Sequence, residues 1–263
     1  MVDPEVEVAV LGPVEIRGAA EAFNRSAARE LVVYLALHRH GSRNDEWAEA
    51  LWPHRSLSRA TLHSTASDAR RSLGQAVNGL AHLPRTGRRL RLENSVGTDV
   101  ERFAFLASDP DPARLKDALG LVRGSLFAGL KLSDWAVFDG TQARVESMVA
   151  DAALKGAEHS MAEGSGRDAE WMIRQAMRVN PYDERLHRAL LRAADAQGNR
   201  VGLRSAMDQL RALAAEPWDP VSKLPPGLIG GDGCCSIHPQ TMALFHELTQ
   251  GRTPAAGRYP VRL

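Results

Sequence analysis

Aromatic residues make up only 5% of this 263-residue chain, so its core must rest on Leu, Ala, Val and Met. Ala-rich cores suit closely packed helices better than sheets. Cysteine is almost absent. The two present, Cys234 and Cys235, are adjacent. An adjacent pair cannot tie distant segments together, which excludes a disulfide framework and makes a reducing compartment the default. Long apolar runs are missing too, and nothing approaches the roughly 18 residues of a membrane span. The opening residues, MVDPEVEVAV, lack the basic start of a signal peptide. The expectation is a cytoplasmic chain without a membrane partner. A surplus of either charge is also lacking, with 33 basic and 32 acidic residues and a net +1. Any binding to nucleic acid must therefore be local.

Such a local surplus exists. Residues 53–92 hold eight arginines (Arg55, Arg59, Arg70, Arg71, Arg85, Arg88, Arg89 and Arg91) and one acid, Asp68, a balance of +7. Nucleic-acid phosphate is the first candidate partner, because neutralising phosphates releases counterions. The competing reading is a solvated basic face. Over residues 1–100 the balance is again only +1, so acids elsewhere offset this segment.

The first hundred residues alternate small elements. EVEVAVLGPVEIRG reads as two short strands around a Gly-Pro turn. Residues 26–40 read as a helix capped by Asn24 or Ser26, with Ala28, Leu31, Val32, Leu35 and Ala36 on one face. Asn44 is placed to cap a short helix over 45–52 that Pro53 stops. Its Trp47 and Trp52 read as core anchors. Ser58 caps a third helix that runs to Leu73. Leu62, Ala66, Ala69 and Leu73 form its inward stripe and leave Thr61, His63, Ser64, Ser67, Arg70 and Arg71 outward. LPRTGRRLRL, residues 83–92, reads as a basic hairpin with its tip at Thr86 and Gly87.

From about residue 98 the texture becomes helical. Ala157, Ala169, Ile173, Ala176 and Pro181 fall where a tetratricopeptide repeat places its small, apolar and proline positions. A shift of about 34 residues lands on Leu191, Leu203, Met207 and Leu210, with Gly198 at the turn. Stacked helix pairs of this kind, or an irregular bundle, fit the pattern. Arg174, Arg178, Arg185 and Arg188 are outward and free for an acidic partner, or paired with Asp183 and Glu184. Trp135 is placed to pack the two halves together. Residues 217–235 are dense in Gly and Pro and read as a long exposed loop. A last helix over 240–248 and a disordered tail from 251 follow.

Chemistry-bearing constellations are few. His38 and His40 have no ligand spacing around them and read as surface histidines. Cys234, Cys235 and His238 are three crowded groups where structural zinc needs four spaced ligands. GLIGGDG has no Lys-Ser/Thr ending and is no phosphate loop. No catalytic signature is present, so the expectation is a non-enzyme without cofactor or metal.

The succession VLGPVEIRG, ELVVYLALHRHG, EALWP and ATLHSTASDARRSLG, followed by the basic hairpin, resembles the N-terminal half of actinobacterial antibiotic-regulatory-protein activators. DWAVFDGTQARVESMVADAALKGAE, VNPYDERLHRALLRAADAQGN and HPQTMALFHEL resemble their second half. The wording is similar to the version found at the C-terminus of LysM-containing actinobacterial proteins. The resemblance spans about residues 5–250. It implies a mainly α fold with a small β component, an OmpR-like winged helix-turn-helix over 1–98 and an all-α, tetratricopeptide-like activator domain over 99–250. It further implies a transcriptional regulator that binds double-stranded DNA. Its third helix would enter the major groove and its wing would hold the backbone. Arg59, Thr61, His63, Ser64, Ser67, Arg70, Arg71, Arg85, Arg88 and Arg89 would form the DNA site. The helical domain would dimerise or engage RNA polymerase or another protein. The third helix offers few bidentate base-reading side chains. The alternative is therefore a protein-interaction module of the same fold that has lost sequence-specific DNA binding.

Overall fold

The computed structural model describes residues 3–53, 55–85, 89–109, 111–130, 134–215 and 237–250. The expected hairpin tip at Thr86 and Gly87, Arg88, the segment 217–235 with Cys234 and Cys235, and the tail from 251 lie outside the described residues. Among those described, no helix is long and apolar enough to cross a membrane. The fold is mainly helical with a small sheet. It divides into two compact units, Met1–Val149 and Ala150–Leu263.

The first unit opens with β1 (Val6–Ala9) and β2 (Glu15–Arg17), the two strands that the alternation predicts. They pair antiparallel with Val8 opposite Ile16. A third strand, β3 (Val96–Thr98), pairs parallel with β1 and makes it the central strand. Three residues are too short to show a period, so this strand is not legible in the sequence. Three helices follow: α1 (Ser26–Leu37), α2 (Asn44–Leu51) and α3 (Arg59–Leu73). The expected single apolar face of α1 is an underestimate. Val33, Tyr34 and Glu30 are buried along with Leu31, Val32 and Leu35. The reason is position, because β1, β3, α2 and α3 all pack against α1. Trp47 is fully buried and Trp52 packs partly against the same core.

Two caps differ from expectation. Arg43, not Asn44, holds the cap position of α2, and its backbone N–H donates to the Glu46 carboxylate at 2.8 Å. Asn44 instead accepts from the Trp47 indole N–H at 3.2 Å. At α1 the cap position is Arg25. For α3 the expected cap holds, as Ser58 Oγ accepts from the Thr61 N–H at 3.2 Å. Ala66, Ala69 and Leu73 are buried as the phase requires. Leu62 is only partly buried, because it lies on the rim of an open cleft rather than under the core.

The basic hairpin is corrected. Among the described residues of 83–92 there is no strand ladder. The Glu93 N–H donates to the His82 carbonyl at 2.9 Å and closes the base of the loop. Leu90 exchanges both backbone hydrogen bonds with Ser42, at 2.8 and 2.9 Å. Among the described residues, the returning arm is thus stapled at Leu90 to the residues before α2 rather than laddered to the outgoing arm.

The unit is completed by α4 (Asp99–Ala107), α5 (Pro112–Gly120), α6 (Asp134–Phe138) and the start of α7 (Thr141–Ala162). Trp135 is buried edge-on to Tyr34, with ring centroids 5.1 Å apart. His38 is not a plain surface histidine. Its ring stacks on Tyr34, and its nitrogens meet the Tyr34 carbonyl at 2.7 Å and the Asp139 carboxylate at 3.1 Å.

The second unit holds the rest of α7 with α8 (Gly166–Met177), α9 (Glu184–Ala196), α10 (Arg200–Ala215) and α11 (Pro239–Gln250). The repeat overlay predicts its core. Ala157, Ala169, Ile173, Ala176, Leu191, Leu203, Met207 and Leu210 are all buried. Helix α11 docks on α9, where Arg188 donates to the buried Thr241 hydroxyl at 3.0 Å.

One buried group in this unit should make its stability pH-dependent. His187 Nε2 lies 2.7 Å from the Pro181 carbonyl, and Nδ1 is buried with no hydrogen-bond partner. The neutral ring satisfies this site by donating from Nε2. Burial is the main cause holding its pKa below the ordinary histidine value, against the Pro181 carbonyl, Glu184 and Asp183, which pull upward. The unfolded chain therefore takes the proton first. The stabilisation is fully present above the unfolded value and is lost as pH falls through the folded one. Thermal unfolding of the second unit should drop in Tm between about pH 7.5 and about pH 5, and His187→Gln should flatten that dependence. Equal pH profiles in the two proteins would contradict the assignment.

Candidate nucleic-acid interface

Helix α3 exists because a Ser cap, an apolar stripe at helical spacing and a terminal Gly74 at φ 79° agree on its limits. Its inward stripe fixes its rotation, so the opposite face is presented outward. Thr61, His63, Ser64 and Arg71 are exposed, and Ser67 is partly so. One flank of this face forms a wall of an open cleft of about 700 Å³. The cleft is lined by His63, Ser64, Ser67 and Arg70 from α3, by Asn44 at the start of α2, and by Arg85 and Arg89 from the loop. Its lining contains three arginines and no acid.

Each arginine is held differently. Arg70, expected to point outward, is half-buried and turned toward the loop, where its Nε donates to the Leu83 carbonyl at 3.1 Å. Burial, and then the charge of Arg85, push its pKa below the ordinary arginine value. It stays cationic but is short of counter-charge, and no acid pairs with it among the described residues. Arg89 donates to the Gly41 carbonyl at 3.1 Å and pairs with Glu46 at 3.3 Å, which pins the loop to α2. Arg85 is exposed at the cleft edge. The arrangement offers an anion two guanidiniums with spare capacity and one that holds the wall in place.

Not every expected site residue joins this cleft. Arg59 lines a neighbouring groove of about 620 Å³ with Arg55, Asp45 and Glu49. Thr61 lies on the other flank of α3, its hydroxyl 3.0 Å from Ser58 Oγ. Arg71 is exposed and pairs with Asp68 at 3.6 Å. Arg88 lies outside the described residues. Two residues at this surface were missed: Asn44, read only as a cap, and Arg25, which donates to Ser64 Oγ at 3.0 Å. Arg25 is remote from the basic segment in sequence, and no local pattern signals it.

The four arginines expected to offer a partner surface in the second unit are engaged within it. Arg174 pairs with Glu170 at 2.8 Å. Arg178 donates to Gln175 at 3.1 Å. Arg185 pairs with Asp183 at 2.7 Å and Asp151 at 2.9 Å. Arg188 reaches Thr241 and, at 3.9 Å, Glu184. Among the described residues no cluster of metal-ligating side chains is found.

Residues 100–216 match the family described as the bacterial transcriptional activator domain. No curated protein sequence matches the chain. Among solved structures, the chain is similar to Mycobacterium tuberculosis EmbR in complex with a low affinity phosphopeptide, with a TM-score of 0.57 and 21% sequence identity. That likeness covers 95% of this chain and 66% of the EmbR chain, and it shows a shared fold, a winged helix-turn-helix followed by a helical, tetratricopeptide-like region.

Proposed function

We propose that this chain is a DNA-binding transcriptional regulator of the antibiotic-regulatory-protein type, with the LysM-linked branch as the finer form of that assignment. The observation that carries the reading is the acid-free cleft where Arg70, Arg85 and Arg89 flank the outward face of α3. A helix with its outward face clear of the core can enter a major groove, and a basic loop beside it can hold the flanking phosphates. The match of residues 100–216 to a transcriptional activator domain supports the regulatory half of the reading. In this division residues 1–98 dock on duplex DNA, and residues 99–250 dimerise or engage a protein such as RNA polymerase.

The outward side chains Thr61, His63, Ser64 and Ser67 set the expected style of recognition. None makes the bidentate base contact that Arg, Asn or Gln makes. Affinity should therefore rest mostly on phosphate contacts and fall steeply with salt. Titration of random and genomically selected duplexes with the purified chain over a salt series tests this. An absence of binding to either at low salt would favour the interaction module that keeps the fold without DNA reading.

A further inference from the structure

Arg25 is remote from the basic segment in sequence but adjacent to it in space. Residues 20–22 run along the end of α3, where Ala20 and Glu21 donate backbone N–H groups to the carbonyls of Leu73 and Ser72, at 3.4 and 3.0 Å. Ser72 Oγ donates back to the Ala22 carbonyl at 3.3 Å. This path delivers Arg25 to the outward face of α3. One of its terminal nitrogens lies 2.9 Å from Asp68 Oδ2 and donates to Ser64 Oγ. Arg71 approaches the other oxygen of Asp68 at 3.6 Å. The two arginine side chains are 63% and 65% exposed, whereas that of Asp68 is 21% exposed. Asp68 Oδ2 is shielded from solvent, with the Arg25 guanidinium as its counter-charge. Asp68 is also the only acid among residues 53–92.

We propose that Asp68 is a specificity-determining residue of the DNA face, an internal stand-in for phosphate that occupies Arg25 and Arg71 until a duplex in the correct register takes its place. This rests on the DNA-binding reading above and adds Arg25 to the phosphate contacts. A carboxylate on a cationic face has two effects. It engages two guanidiniums that would otherwise bind any phosphate, and it repels a backbone that is only loosely placed. A docked duplex offers phosphates to both arginines and replaces the lost pairing. Exposed ion pairs are weak, so the exchange is not costly. Loose, non-specific binding is therefore penalised more than specific binding.

The test uses the full chain, a random-sequence duplex and duplexes selected by the wild-type protein. Asp68→Asn should bind the random duplex roughly tenfold more tightly at low salt, with a log–log salt slope steeper by about one to two. The preference for selected over random DNA should shrink. Adding Arg25→Ala should remove most of the gain. Arg25→Gln alone, at an exposed side chain that should not affect folding, should weaken binding to selected duplex several-fold and flatten the slope by about one. Thermal unfolding confirms that each variant is folded. A folded Asp68→Asn protein with unchanged random binding, a gain that survives Arg25→Ala, or an Arg25→Gln protein with unchanged affinity would overturn the proposal. If those results coincide with lost binding in an Arg85→Ala protein, the DNA reading stands and only the role of Asp68 falls. If the wild-type chain binds no duplex at all, both fall.

Discussion

Replacing Arg70, Arg85 and Arg89 together by alanine should lower affinity for duplex DNA by about two to three orders of magnitude near 50 mM salt and flatten the salt slope by about two to three. The expected loss is large because these three side chains line one cleft, and Arg89 alone among them is paired with an acid, Glu46, among the described residues. Arg70 is already short of counter-charge, pressed by burial and by Arg85. A phosphate placed between them would relieve that repulsion. The loss should be similar for random and selected duplexes, since phosphate contacts carry no base information. Arg89 has a second role, because it bonds Gly41 and Glu46 and holds the loop against α2. Arg85→Ala alone separates the two, as its exposed side chain carries charge to the cleft edge without holding the fold. Anisotropy titrations across a salt series measure both quantities. A folded triple variant with unchanged affinity and slope would remove the cleft from the DNA site.

The second large effect is on stability. Asp99→Ala should destabilise the first unit by about 3–5 kcal/mol, the range for breaking a buried charged pair. Asp99 opens α4 and is buried. Its carboxylate accepts the Val10 N–H at 2.8 and 2.9 Å and the Leu11 N–H at 2.9 Å. Arg123 reaches it at 3.4 Å and also donates to the Pro13 carbonyl at 2.8 Å. One side chain therefore satisfies the strand end that leaves the sheet, and it ties α4 and the Arg123 segment to β1. Alanine would strand two buried N–H groups. Burial pushes the Asp99 pKa up, against the two backbone donors and Arg123. The acceptor oxygens, more than the charge, are thus what the site needs. Asp99→Asn retains an oxygen able to face both N–H groups and should cost clearly less than alanine. In thermal denaturation the alanine variant should lose about 10 °C in Tm. Equal losses in the two variants would mean that charge dominates instead.

Sequence alone determined the elements whose signals are local. The Ser58 cap, the 3.6-residue stripe and Gly74 delimit α3, and its helical phase puts Thr61, His63 and Ser64 outside. The 34-residue overlay located the core of the second unit because its small and apolar positions recur at the period of a helix pair. The positive charge of residues 53–92 was legible as composition. What composition cannot show is which charges share a space. Only the tertiary structure turned Arg70 toward the loop, stapled Leu90 to Ser42 and brought Arg25 from the cap of α1 onto the face of α3. It also paired the three residues of β3 with β1 and buried α1 on nearly every side. Each of these depends on contacts between residues distant in the chain, and a local period or cap motif has no term for them. Helical phase is set by neighbours three and four residues away. The cleft is set by how α3, the loop and the residues before α2 pack together.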